Sequence, residues 1–136
     1  MKLEYEVKAK DFSAAGYVSS QIKKTLKQLG IDPIIIKRVV VALYEAEVNI
    51  VAHANGGVIT AEIDQNGISL ILADEGPGIP DLELAMKKGY STASEEVRQM
   101  GFGAGMGLPN VKDNVDDLKI ETKVGVGTTL RMYIKF

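Results

Sequence analysis

A carboxylate and an amide lie four residues apart in Glu45-Ala46-Glu47-Val48-Asn49, and Asp74 ends the apolar segment Ile68 to Ala73. On a helix, at about 100° per residue, Glu45 and Asn49 stand about 40° apart and project from one face. A carboxylate there can accept a proton, and an amide oxygen can bind a hard cation. Either group buried without a partner is costly, so each needs a ligand, a water or a polar neighbour. Taken alone, the pair also fits an exposed polar stripe. Glu47 lies about 200° round the helix from Glu45 and is expected to be solvated. His53 continues the Glu45–Asn49 stripe and is expected to pack or cap near the helix end.

Asp74 opens the segment Asp74-Glu75-Gly76-Pro77-Gly78-Ile79. A carboxylate at a strand end can accept from an amino group such as that of adenine, and Gly76 and Gly78 let backbone approach a flat ring. The same residues also suit an ordinary strand-to-turn exit. Gly101-Phe102-Gly103-Ala104-Gly105-Met106-Gly107 precedes a helical segment whose free N–H groups and dipole suit a phosphate. It is not a Walker loop, since no Gly-Lys-Ser/Thr follows, and the first half lacks the context of a dinucleotide fingerprint. Gly125-Val126-Gly127-Thr128-Thr129 is either a plain hairpin turn or a fourth part of such a site.

These residues must be held by a definite set of elements. Leu3, Tyr5 and Val7 alternate with charged residues, the period of a half-buried edge strand. Asp11 is the expected N-cap of an amphipathic helix over Phe12 to Leu29, stopped by Gly30. Asp32-Pro33 starts a second, well-buried helix running to Ala54. Val58 to Ile63 and Ile68 to Ala73 read as antiparallel strands joined around Asn66-Gly67. Leu82 to Lys88 suits a short helix, Gly89 to Gly107 a loop, and Leu108 to about Asp116 another helix. Leu118 to Val124 and Thr128 to Ile134 form a final strand pair. The order implies an α/β (α+β) two-layer sandwich with a mixed, mostly antiparallel sheet and helices on one face.

The 136 residues, 46% of them hydrophobic, suit a single domain over 1–136, since domains run to roughly 100–200 residues. The absence of cysteine excludes thiolate metal sites, thiol nucleophiles and disulfides, and one histidine excludes a multi-histidine centre. A net charge of −2 leaves no strongly basic field for direct nucleic-acid contact. The start does not read as a signal peptide, and the apolar run Ile34 to Tyr44, broken by Lys37 and Arg38, falls short of the ~20 residues of a membrane span. A cytoplasmic protein without membrane contact is the expectation.

Together and in this order, the four features resemble the GHKL, or Bergerat-fold, ATPases, and within them the small bacterial anti-sigma-factor serine/threonine kinases. The resemblance runs from about Glu4 to Ile134. Glu45 to Asn49 matches the N box, Asp74 to Ile79 the D-x-G-x-G box, Gly103 to Leu108 the lid glycine box, and Gly127-Thr128-Thr129 the terminal threonine box. The resemblance implies Mg²⁺ and ATP as cofactors. It gives Asn49 to the metal, Asp74 to the adenine amino group, Thr128 with Gly76 and Gly78 to the adenine end, and Gly103, Gly105 and Gly107 to the phosphates. Glu45 becomes the general base for a serine or threonine hydroxyl. The implied function is an anti-sigma regulatory factor that phosphorylates a STAS-domain antagonist and controls a sigma factor by partner switching. A homodimer is a further implication.

Two departures keep alternatives open. Leu108-Pro109-Asn110-Val111-Lys112 looks closer to switch kinases, whose downstream partner is a phosphatase. Some relatives carry a basic residue immediately before the lid's Gly-Met-Gly, where this chain has Gly103-Ala104. Arg98 or Lys112 could replace it, or the protein could be a non-catalytic, ATP-gated binding module.

Overall fold

The computed structural model describes residues 1–79, 86 and 107–136. Strand β1 (Lys2–Val7) leads through a 3-10 turn at Phe12–Ala14 to helices α1 (Tyr17–Gln28) and α2 (Pro33–His53). Strands β2 (Gly57–Ile63) and β3 (Gly67–Asp74) follow, then helix α3 (Gly107–Asn114) and strands β4 (Asp117–Lys123) and β5 (Gly127–Lys135). The sheet order is β1-β2-β3-β5-β4. Every one of these pairings is antiparallel, so the described sheet holds no parallel component of the mixed sheet expected.

Register explains the two layers. Tyr5, Ile59, Leu72, Leu130 and Ile120 form one row across the sheet, and Leu3, Ala61, Leu70, Met132 and Leu118 the next. These inward rows pack with Ile22 and Leu26 of α1, Val39, Leu43 and Ile50 of α2, and Val111 of α3. The intervening positions, such as Glu4, Arg131 and Lys119, are exposed on the opposite face, as the two-residue period of a strand requires. Among the described residues no helix is long and apolar enough to cross a membrane.

Local chemistry sets the element ends. The Asp32 carboxylate accepts from the Ile34 N–H at 2.8 Å, with Pro33 at the first position of α2. Gly30, at φ 74°, ends α1, with Gly30 N–H donating to the Lys27 carbonyl and Ile31 N–H to the Leu26 carbonyl, both at 3.1 Å; this is the Schellman arrangement. The β2–β3 turn is built on Asp64, whose Oδ1 accepts from Asn66 and Gly67 N–H groups at 2.7 and 3.0 Å. Gly67 therefore begins β3 rather than lying in the turn.

Two sequence expectations are corrected. Helix α1 begins at Tyr17, not Phe12, because Gly16 takes a left-handed conformation at φ 90° and separates the Phe12–Ala14 turn from the helix. Asp11 precedes only that turn, makes no side-chain bond to its backbone, and instead accepts from the Ser13 hydroxyl at 2.6 Å. Glu47 is not solvated: it is 1% exposed. Its carboxylate accepts from the N–H groups of Gly16, Val18 and Ser19 at 3.0, 3.2 and 3.1 Å, and from the Ser19 hydroxyl at 2.9 Å. Gly16 has no side chain to cap its own helix, so α2 supplies the cap, a negative charge at the positive end of α1.

Replacing Glu47 with Ala leaves those buried donors without their acceptor. The expected loss is about 2–4 kcal/mol of stability, read as a lower urea midpoint at unchanged slope. A loss below about 0.5 kcal/mol, the range of an ordinary surface substitution, would contradict the cap.

Candidate functional site

Helix α2 carries the first half of the site because it is both a core element and a polar one. Leu43, Ala46 and Ile50 are buried, while Glu45 and Asn49 are half-buried. They turn toward α3. The Asn110 side-chain amide donates to Glu45 Oε1 at 3.3 Å. A Cβ on Gly107 would come within 3.1 Å of both terminal atoms of the Asn49 amide, so glycine at 107 lets the start of α3 sit directly against that group. A step forward of three residues on α3 accompanies a step back of four on α2, so the two helices run antiparallel along this contact. Glu45, Asn49 and Gly107 are thus brought together where α2 meets α3.

The second half lies where β3 leaves the sheet. Asp74 is half-buried, and its Oδ1 accepts from the Thr128 N–H at 3.0 Å. Burial pushes the Asp74 carboxyl above its usual range, and the Thr128 hydrogen bond opposes that shift. Thr128, 8% exposed, shares a hydroxyl–hydroxyl hydrogen bond of 2.9 Å with Thr122, directly across the β4–β5 ladder. The Thr122 hydroxyl also accepts from the Ile79 N–H at 2.8 Å, tying the segment after Asp74 to β4. Gly78, at φ 76°, lies so close to the Lys123 carbonyl that an added Cβ would stand 2.6 Å from its oxygen. Gly76 lies against the end of α2, where a Cβ would come 3.0 Å from Ala54 Cα and 3.4 Å from Asp74 Oδ1.

The two halves are joined through α2. Asn55 N–H donates to the Glu75 carbonyl at 2.5 Å, and Glu75 N–H to the Gly56 carbonyl at 2.9 Å, so the chain leaving α2 is fastened to the chain leaving β3. From Ala54, under Gly76, to Glu45 is nine residues, or about 14 Å along the helix, with Asn49 near the middle. Asn49 and Glu45 thus lie successively further back along the helix whose end is fastened to the segment after Asp74.

His53 ends α2 and is half-buried. Desolvation lowers its basicity and the nearby Lys10 charge lowers it further. Lys10, at φ 58°, donates its backbone N–H to the Val51 carbonyl at 2.9 Å and its ammonium to the Ala52 carbonyl, capping the helix end. The expected packing and capping role fits this place. Lys112 is exposed and lines a cleft with Met86, Val115, Leu118 and Ile120 beside β4. It is about 200° round α3 from Asn110, away from Glu45. Gly103, Gly105, Arg98 and all of Leu82 to Lys88 except Met86 lie outside the described residues.

Sequence reasoning missed three residues. Glu47 was expected in solvent, although its carboxylate on an apolar helix was the available signal. Thr122 had no signal beyond strand alternation. Asn110, two residues beyond the glycine-rich segment's final Gly-Leu, was visible only as an amide at the start of a helix.

The two-layer fold is that of an ATPase domain, and the chain belongs to the histidine kinase-like ATPase domain family, whose model matches residues 9–134. Membership implies use of ATP. The chain is 32% identical to the serine/threonine-protein kinase RsbT of Bacillus subtilis over 113 residues, covering 80% of this chain and 79% of that one. It is 35% identical to the anti-sigma F factor of Caldanaerobacter subterraneus subsp. tengcongensis over 139 aligned positions, covering 97% and 90%. A solved structure of the RsbU and RsbW domains of a Mycobacterium tuberculosis protein shares the fold, with a TM-score of 0.65 at 20% identity. The match covers 98% of this chain and 32% of that one.

Asp74 supplies a stability test. Its folded carboxyl is shifted up, so the folded state holds that proton more tightly than the unfolded state. Its contribution is therefore most favourable at acid pH and is lost as pH rises through the folded value, leaving a net cost at neutrality. Asp74→Asn keeps an oxygen for the Thr128 N–H and removes the buried charge. The nucleotide-free variant is expected to melt higher than the parent at pH 7, with the difference vanishing toward pH 3. A lower melting temperature at pH 7 would contradict the burial argument.

Proposed function

We propose that the protein is an ATP-dependent protein serine/threonine kinase of the anti-sigma type, working as one domain over residues 1–136. Its kinship with proteins named serine/threonine-protein kinase and anti-sigma F factor supports the class. The observation that carries the reading is that α2 turns Glu45 and Asn49 toward α3, while its end is fastened to the segment that follows the half-buried Asp74.

In this reading Asp74 accepts from the adenine amino group. The Thr128 N–H holds one carboxylate oxygen in place, and Gly76, without a side chain, lets the backbone lie close beside Ala54 and Asp74. Asn49 sits beside Gly107, where the phosphates meet the start of α3, and its amide oxygen suits Mg²⁺. Among the described residues no group of three or more acidic or histidine side chains could hold a metal. With Asn49 as its protein ligand the ion would draw most of its ligands from phosphate oxygens, as Mg²⁺ commonly does, and would supply charge neutralisation. Gly103, Gly105 and Gly107 belong to the phosphate cover.

Glu45 accepts the proton of the incoming hydroxyl. That oxygen forms its bond to the γ-phosphorus as the bond to the β–γ bridging oxygen breaks, giving a phosphoserine or phosphothreonine and ADP. The acceptor is a STAS-domain antagonist. The alternate partner is a sigma factor, or a phosphatase if the protein works as a switch kinase, as Leu108-Pro109 after the glycine box favours. The protein is expected in the cytoplasm, as a homodimer, acting on transcription through protein partners rather than DNA.

Transfer from γ-labelled ATP, with Mg²⁺, onto a STAS-domain protein encoded nearby tests this reading. Glu45→Ala is expected to lose transfer by at least about a hundredfold, the lower bound for a general base, while still binding nucleotide. Asn49→Ala is expected to lose Mg·ATP binding as well. Unchanged transfer in Glu45→Ala would sink the base assignment, and Mg·ATP binding without transfer to any candidate would favour the ATP-gated binding module.

A further inference from the structure

We propose that Asn110 is a positioning residue for phosphotransfer, holding the Glu45 carboxylate in one orientation from the helix that follows the glycine-rich segment. The inference rests on the reading of Glu45 as the base.

Asn110 and Glu45 come from different helices and meet at 3.3 Å, both half-buried. A carboxylate only accepts, so the amide nitrogen is the atom that must face it. A glutamate on a helix face has three torsions to fix, and a base is useful only within about 2.6–3.2 Å of the proton it takes. One donor on Oε1 selects a rotamer and leaves Oε2 for the substrate hydroxyl.

The donor is itself anchored. Asn110 lies between buried Pro109 and Val111, and its backbone carbonyl accepts from the Asn114 side chain at 2.8 Å. One turn earlier on the same face, Gly107 touches the Asn49 amide. A shift of α3 along α2 therefore moves the contact to the base and the contact to the metal-binding amide together.

The test uses the full chain with Asn110→Ala, Asn110→Asp and Glu45→Gln, measured as transfer from Mg·ATP to the STAS-domain acceptor. Aspartate has the shape of asparagine but no donor, and it brings a like charge beside Glu45. If Asn110 only filled space, Asp would be tolerated better than Ala. The positioning role requires the reverse. Ala should lower kcat about tenfold, as expected for a hydrogen bond to a charged group, with KM for ATP changed by no more than about twofold. Asp should lower kcat further, on the order of a hundredfold in all. In the Glu45→Gln background neither substitution should add to the loss, because their shared interaction is already gone.

An Asn110→Asp protein as active as the parent, or losses that multiply with Glu45→Gln, would overturn the proposal. Transfer retained in Glu45→Gln alone would instead overturn the base reading. Independently of any acceptor, the Asn110 side-chain NH₂ resonances should shift in Glu45→Gln, and unmoved resonances would equally overturn the proposal.

Discussion

The geometry of the molecule depends on a buried carboxylate. Glu47 sits in the interior with no ion-pair partner among the described residues, a position that costs several kcal/mol unless hydrogen bonds replace the lost water. Four donors at the start of α1 replace it. The cap locks α1 to α2, and it also fixes the rotation of α2 about its own axis. With Glu47 held toward α1, Glu45 and Asn49 are turned the other way, onto the face that meets α3. An exposed Glu47 would leave the rotation of α2 to its apolar packing alone.

The point where β3 leaves the sheet is held by a different set of contacts. Asp74, Thr128, Thr122 and Ile79 form a chain of hydrogen bonds running from the end of β3 through β5 and β4 and back to the segment after Asp74. Two glycines let that segment touch the end of α2 and the β4–β5 turn where side chains would collide. Burial raises the Asp74 carboxyl, so the chain holds a costly charge at a fixed point. The proposed adenine contact would account for keeping that charge.

Much of this was legible in the residues. Strand alternation placed β1, β2, β3 and β5 to within a residue or two, and Asp32-Pro33 located the start of α2. The four-residue step from Glu45 to Asn49 put both on one face. The misreadings share a cause, since each turns on contacts between elements distant in sequence. The start of α1 depends on the left-handed Gly16 and on a cap supplied 31 residues later. Periodicity assigned Glu47 to solvent because it measures one helix at a time and cannot see α1 lying against that face. The meeting of Asn110 with Glu45 spans 65 residues and has no local signature. The Thr122–Thr128 pair became visible only once the β4–β5 register was known.

The most direct test of the central claim, that α2 aligns an adenine end with a transfer end, is a crystal structure with Mg²⁺ and a non-hydrolysable ATP analogue. The expected result puts the adenine amino group on the Asp74 carboxylate, the metal on the Asn49 amide oxygen, and the terminal phosphate beside Glu45. A nucleotide seated away from Asp74, or lying with its phosphates directed away from Glu45, would contradict the account.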